Sequence, residues 1–177
     1  MERTIKQSHF HGFDGVTGEL WVGEVGQDKF EEVSIIGRGD NMGWNIVEAD
    51  HCFSPASGCK TEGLKPPVME VPRTVGNCII GGYVYRGNTA SPYSGLYFFS
   101  DLNGHQIYAM RHAAGKMTEY KLMAESRLPI SSMGTDREGN LYVVNIDHGS
   151  IDRLESPHLG SSLLDRAPQR RRLGRAF

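Results

Sequence analysis

Gly18-Glu-Leu-Trp-Val-Gly-Glu-Val-Gly-Gln-Asp-Lys-Phe-Glu-Glu-Val-Ser-Ile-Ile36, continuing into Gly39-Asp-Asn-Met-Gly-Trp44, decides the fold of this 177-residue chain. The residue pattern predicts a strand over Leu20 to Val25, a polar turn over Gly26 to Lys29 and a second strand over Phe30 to Ile36. Apolar residues supply the strands, and Gly and Asp supply the breaks. The layout returns at Gly95-Leu-Tyr-Phe-Phe-Ser-Asp-Leu-Asn-Gly-His-Gln-Ile-Tyr-Ala-Met110 and again at Gly139-Asn-Leu-Tyr-Val-Val-Asn-Ile-Asp-His-Gly-Ser-Ile-Asp-Arg-Leu154. Each copy opens with Gly, reaches Leu within two residues, then Trp or Tyr, and resumes with strand formers beyond a polar turn. Similar turns precede the first and third copies, Asp14-Gly-Val-Thr-Gly18 and Asp136-Arg-Glu-Gly139. An internal repeat of antiparallel hairpins points to an all-β, propeller-like array.

Between the hairpins the pattern predicts further strands. Val68-Met-Glu-Val71 is one, and Cys78-Ile-Ile-Gly-Gly-Tyr-Val-Tyr-Arg86 is a stronger one. On the latter, Ile80, Gly82, Val84 and Arg86 share one face, and Ile79, Gly81, Tyr83 and Tyr85 the other. The doubled Gly81-Gly82 predicts a bulge or a close backbone approach. An outer strand is expected over Met117 to Met123, and Pro129-Ile-Ser-Ser-Met133 leads into the third hairpin. Residues 1–12 read as a leader or the remnant of a strand, 13–155 as the propeller section and 156–177 as a basic tail. Trp44 is expected to pack on the first hairpin. No stretch reads as a helix.

Composition narrows the function classes. Hydrophobic residues are 38%, charged residues 23% and the net charge is -2, which fits a globular chain and gives no electrostatic footprint for nucleic acid. The arginine-rich stretch Arg166 to Arg175 has no apolar face, and a solvated, disordered terminus is the preferred reading. No apolar run approaches the roughly 20 residues of a membrane span. Met1 to Phe10 has no apolar core of the signal-peptide kind. Cys52 and Cys59 bracket a loop, Phe53-Ser-Pro-Ala-Ser-Gly58, within the longer excursion of residues 45–67. A disulfide in an oxidising compartment and two free thiols are both compatible with that spacing. Cys78 lies in an apolar strand and reads as a buried small hydrophobe. The cysteines lack the paired spacing of a zinc site.

Six motifs in series resemble one family: Leu20-Trp-Val-Gly-Glu-Val-Gly-Gln27, Glu31-Glu-Val33, Asn41-Met-Gly-Trp44, His51-Cys52 to Cys59, Gly81-Gly-Tyr-Val-Tyr-Arg-Gly87 and Ile130-Ser-Ser-Met133. Their order and spacing are similar to the glucose/sorbosone dehydrogenase family, which includes soluble quinoprotein sugar dehydrogenases and hedgehog-interacting-protein-like proteins. The resemblance runs from about Phe13 to Leu154. It implies a six-bladed β-propeller, of which this chain corresponds to a C-terminal portion of about three blades. It also implies an extracellular or periplasmic setting and a Cys52–Cys59 bridge, with Cys78 free.

In quinoprotein members pyrroloquinoline quinone (PQQ) is held on the axis through calcium. A histidine base takes the proton of a sugar or other polyol hydroxyl. The resemblance places a structural calcium on the Glu32 carboxylate and the Met42 carbonyl, hard oxygen donors of the kind calcium prefers. The cofactor contacts transfer poorly. Lys6-Gln7 stands where an Arg-Asn pair is usual, Asn103 where a lysine is usual, and Pro129 to Ser132 where arginines are usual, with Arg127 nearby. None of His9, His11, His51, His105, His112 or His148 aligns with the base. Two readings result: a partial PQQ-dependent sugar dehydrogenase-like domain that is inactive alone, or a secreted protein-binding module. Self-association is expected of a partial propeller, through apolar faces carrying Leu20, Val22, Tyr97, Phe99, Leu141 and Val143.

Overall fold

A computed structural model describes residues 8–126 and 129–155. Its first sheet runs in the order β1 (Ser8–Phe13), β2 (Leu20–Glu24), β3 (Phe30–Ile36) and β6 (Met69–Pro72). Between β3 and β6 an excursion carries a two-residue ladder, β4 (Val47–Glu48) with β5 (His51–Cys52). The second sheet is β7 (Ile79–Val84), β8 (Tyr97–Asp101), β9 (Gln106–Ala113) and β10 (Lys116–Glu125), taken in chain order from one edge to the other. A third sheet joins β11 (Ile130–Thr135), β12 (Leu141–Asn145) and β13 (Ser150–Arg153). All pairings are antiparallel. The three sheets are propeller blades, with β7 flanked by β1 and β11 as the leading strands.

The middle blade explains why the chain holds together. Tyr97, Phe98, Phe99 and Ser100 are consecutive and all buried, as a strand must be when both its faces are covered. Tyr97 and Phe99 point into a core shared with the first blade, among Trp21, Val33, Val71, Ile79 and Met110. Tyr97 stacks on Trp21 with ring centroids 4.4 Å apart, and the ring series continues through Phe99, Tyr108 and Tyr120. Phe98 points the other way, into a second core with Ile107, Ala109, Ile130, Met133, Leu141 and Val143 of the second and third blades. At about 1.5–3 kcal/mol for each large side chain removed from water, these two seams dominate the favourable energetics.

That arrangement corrects one expectation. Tyr97, Phe99, Leu141 and Val143 fill seams inside the chain, so they are not on a face left without a neighbour. Val22 is buried as well, and Leu20 is half-buried. The large apolar side chains that do face solvent include Phe13, Val16, Ile146 and Ile151.

Glycines set how closely the blades approach. A Cβ on Gly23 would lie 2.8 Å from Gly81 Cα, and one on Gly81 would lie 2.8 Å from the Phe10 carbonyl. A Cβ on Gly82 would meet Met133 Sδ at 2.7 Å on the other side. Gly81-Gly82 therefore sits where the middle leading strand presses on both neighbours, and the β7–β8 register shifts between Ile80 and Tyr83 at the same place. The doubled glycine is both a bulge and a close approach.

Polar groups lock the first seam. Glu31 is fully buried, accepting from the Gly26 N–H at 3.0 Å, the Ile79 N–H at 2.9 Å and Arg73 Nε at 3.1 Å. Asp14, 2% exposed, accepts two bonds from Arg86 of the second blade.

The chain's beginning is more ordered than its sequence suggests. Residues 8–12, in the stretch read as a leader or strand remnant, form most of β1 and pair with β2. The Trp44 ring lies 4.8 Å from that of Phe53 within the excursion. Residues 156–177, and with them the basic tail, lie outside the described residues.

Candidate functional site

The excursion between β3 and β6 is built onto the first blade by a few polar anchors. Glu48 accepts from the Asp28 N–H at 2.6 Å and the Lys29 N–H at 3.1 Å, tying β4 to the β2–β3 turn. His51 stacks on Phe30 with centroids 4.1 Å apart, and its Nε2 lies 3.0 Å from Glu70 Oε1. Cys52 and Cys59 are joined by a disulfide with Cα atoms 5.5 Å apart. The bridge staples an exposed loop, Ser54 to Gly58, on the outside of the blade. Cys78 is a free thiol, pushed up from its usual range by burial and by the nearby Glu31 and Asp101 carboxylates.

Glu32 and Met42, the residues assigned to calcium by resemblance, are both buried, at 6% and 7% exposure. Glu32 lies opposite Glu24 on β2 and opposite Glu70 on β6. Residues paired in this way point to the same face, so three carboxylates cross the blade side by side. Among the described residues no cluster of three or more His, Cys, Asp or Glu has metal-binding geometry. The Glu32 carboxylate and the Met42 carbonyl are hard oxygen donors, two where calcium takes roughly six to eight.

The end of the middle blade where the resemblance implies cofactor contacts is marked by the β8–β9 turn. There Asp101 is buried and accepts from the Asn77 N–H at 2.7 Å and the Gly104 N–H at 2.5 Å. Asn103 donates from Nδ2 to Asn77 Oδ1. Arg73 stands close by, but Glu31 and the Asn77 carbonyl, at 3.3 Å, engage its guanidinium. A carboxylate and two amides do not suit a quinone bearing several carboxylates, which calls for cations. The described residues do not fit PQQ at this turn. Ser131 and Ser132, where arginines are usual, bond to the Val144 and Met133 carbonyls at 3.4 Å. Lys6, Gln7 and Arg127 lie outside the described residues.

Among the described residues the histidines do not gather into a site. His148 is exposed in the β12–β13 turn, where its N–H donates to Asn145 Oδ1 at 3.1 Å. His112 sits on β9 against Trp21, with ring centroids 5.2 Å apart. The sequence hides the contacts of His51 and His112 alike: Phe30 and Glu70 are 21 and 19 residues from His51, and Trp21 is farther still from His112.

The Glucose / Sorbosone dehydrogenase family profile matches residues 10–153. The chain belongs to the glucose/sorbosone dehydrogenase family. Curated relatives include the HIPL1 protein of Arabidopsis thaliana, 37% identical over 98 residues. That match covers 49% of this chain and 14% of the relative. The HIPL2 protein of the same plant is 37% identical over 97 residues, with the same coverage. Among solved structures, the apo soluble aldose sugar dehydrogenase of Escherichia coli superposes with a TM-score of 0.65 at 21% identity. It covers 84% of this chain and 44% of its own. The PQQ-bound aldose sugar dehydrogenase of Streptomyces coelicolor gives a TM-score of 0.58 at 17% identity, covering 78% and 37%. The chain therefore spans less than half of these propellers, about half of a six-bladed fold. At such identities the dehydrogenase structures establish the fold alone. No described helix of this family member is long and apolar enough to cross a membrane.

Proposed function

We propose that this chain is a three-blade section of a glucose/sorbosone dehydrogenase-type propeller and does not by itself oxidise sugars through PQQ. The observation that carries this reading is the β8–β9 turn, where Asp101, Asn77 and Asn103 occupy the end that would need cations. Fold does not settle chemistry, and amide and carboxylate groups at that end offer an anionic quinone no cation. No catalytic step follows from this chain. A dye-linked assay with aldoses, PQQ and calcium tests the proposal, with no turnover expected.

Other parts of the reading rest on the family. Calcium at Glu32 and the Met42 carbonyl would tie β3 to the excursion. A sugar or polyol substrate belongs to complete members, and an extracellular or periplasmic setting suits a stapled loop.

A second reading has its own support. The matched segment is 37% identical to the HIPL proteins, and the blade displays an exposed, disulfide-closed loop. A preorganised loop of that kind loses little entropy on binding. Under this reading the excursion meets a protein partner. Affinity capture with the loop intact and with Cys52→Ser distinguishes it, since a binding module loses its partner on reduction.

A further inference from the structure

At the opposite end of the middle blade from the β8–β9 turn, a cleft of about 190 Å³ opens on the first seam. Asp14, Thr17, Glu19 and Trp21 line it from the first blade, and Val84, Arg86, Gly95, Arg111 and His112 from the second. We infer that this cleft binds a small oxyanion, a carboxylate or phosphate group, between Arg86 and Arg111.

Most donor nitrogens of the two guanidinium groups are already used. Arg86 gives Nε and Nη2 to Asp14. Arg111 gives Nε to Glu119 Oε2 at 3.4 Å and Nη2 to the Ser94 carbonyl at 3.3 Å. Each guanidinium keeps Nη1 for something else. Both Nη1 atoms converge on Gly95, at 3.5 Å for Arg86 and 3.0 Å for Arg111 from where a Cβ would stand. Gly95 has φ +81, a backbone conformation that favours glycine, and its missing side chain leaves the space between the two cations open. Guanidinium pairs brought together in this way are a recurrent means of holding carboxylate and phosphate oxygens.

Two more groups of residues lining the cleft, one from each blade, lack partners. Trp21 Nε1 and His112 Nδ1 are buried nitrogens without a hydrogen bond. Leaving a buried polar group unpaired is costly, and such groups often mark a missing ion or water. Neither carboxylate of the cleft bonds to an Nη1 atom of either arginine. Asp14 takes Arg86, Thr17 Oγ1 and the Val16 N–H. Glu19 Oε2 lies 3.1 Å from Thr17 Oγ1 and 3.4 Å from His112 Nε2. Trp21 Nε1 and the two Nη1 groups are donors that an oxyanion could satisfy, since it supplies several acceptors. The inference concerns the end remote from the β8–β9 turn and stands independently of the PQQ question.

The chain has two tryptophans, Trp21 and Trp44, so its spectrum holds two indole N–H resonances to follow by NMR. The full chain, labelled with nitrogen-15, is titrated with inorganic phosphate and separately with acetate, sodium chloride holding the ionic strength constant. The expected result is a saturable shift of the Trp21 resonance and none for Trp44, with affinity weakened at least tenfold in Arg111→Gln. Saturation with phosphate alone assigns a phosphate group, and saturation with acetate assigns a carboxylate. Failure of both anions to shift Trp21 saturably overturns the inference. So does an unchanged titration in an Arg111→Gln protein whose remaining spectrum matches the parent.

Discussion

Arg86 and Asp14 meet across the seam between the first two blades in a two-point contact, Nε to Oδ1 at 2.9 Å and Nη2 to Oδ2 at 2.6 Å. The Arg86 backbone N–H also points to the Gly139 carbonyl, 3.4 Å away in the third blade. One residue thus touches all three blades. Burial alone would raise the Asp14 carboxyl, but bonds from Arg86, Thr17 and the Val16 N–H outweigh it and hold the group at about 2, against 3.8 ordinarily.

A pH dependence follows from that lowered value. A carboxyl lowered on folding contributes stability that is complete above its unfolded value and is lost as pH falls through its folded one. The Asp14 contribution is therefore full above about pH 4 and disappears toward pH 2. Asp14→Asn should cost about 2 kcal/mol at pH 7, the scale of a hydrogen bond to a charged group. It should also flatten the acid limb between pH 4 and 2. Urea unfolding of both proteins across that range checks this, and parallel profiles would count against the contact.

Gly81→Ala should destabilise the chain by about 1–3 kcal/mol, the usual cost of overpacking. The added methyl would meet backbone atoms of Phe10 and Gly23 at 2.8 and 3.0 Å, and neither backbone can rotate away. Gly15→Ala is the control, since nothing lies within 4 Å of its Cβ position. It should change stability by less than about 0.5 kcal/mol. Equal effects from the two substitutions would contradict the close approach of the strands.

Cys52→Ser should lower stability by about 2 kcal/mol, the chain-entropy value for so short a loop. For a chain of this size that corresponds to a melting temperature lower by roughly 4–8 °C. Peptide mapping without reduction should show Cys52 joined to Cys59 and Cys78 alone. Alkylation of Cys78 at pH 8 should be slow, because its raised pKa leaves little thiolate.

Calcium should raise the melting temperature of the parent protein and leave Glu32→Gln unmoved, because an ion that binds only the folded state stabilises it by linkage. Differential scanning calorimetry with calcium and with chelator reads both. A parent protein indifferent to calcium would remove the proposed site.

The sequence revealed the local parts of this fold and concealed the long-range ones. The hairpins were legible because Gly and Asp punctuate runs of β-formers, and β3 begins and ends at Phe30 and Ile36 as its pattern predicts. Gly81-Gly82 announced a bulge or close contact because glycine inside a strand has few other uses. β1 was obscure, since its alternation of Phe10 and Gly12 with histidines is short and carries little apolar signal. The run Leu96-Tyr-Phe-Phe99 marked apolar faces without showing that two seams inside the chain bury them. The Asp14–Arg86 pair joins residues 72 positions apart, and no local pattern marks such a partner. Of the candidate site, the Cys52–Cys59 pairing followed from a short loop together with the family resemblance. The seating of His51 on Phe30 and Glu70 depends on how the excursion folds back over the blade.

The dye-linked assay bears most directly on the central claim, that these three blades preserve the family's fold without its quinone chemistry. The full chain, shown to be folded by the near-ultraviolet circular dichroism of its buried Trp21–Tyr97 stack, is mixed with PQQ, calcium, an aldose and an electron-accepting dye. Dye reduction should be no faster than in a protein-free blank at any aldose concentration. Saturable, PQQ-dependent reduction of the dye would contradict it.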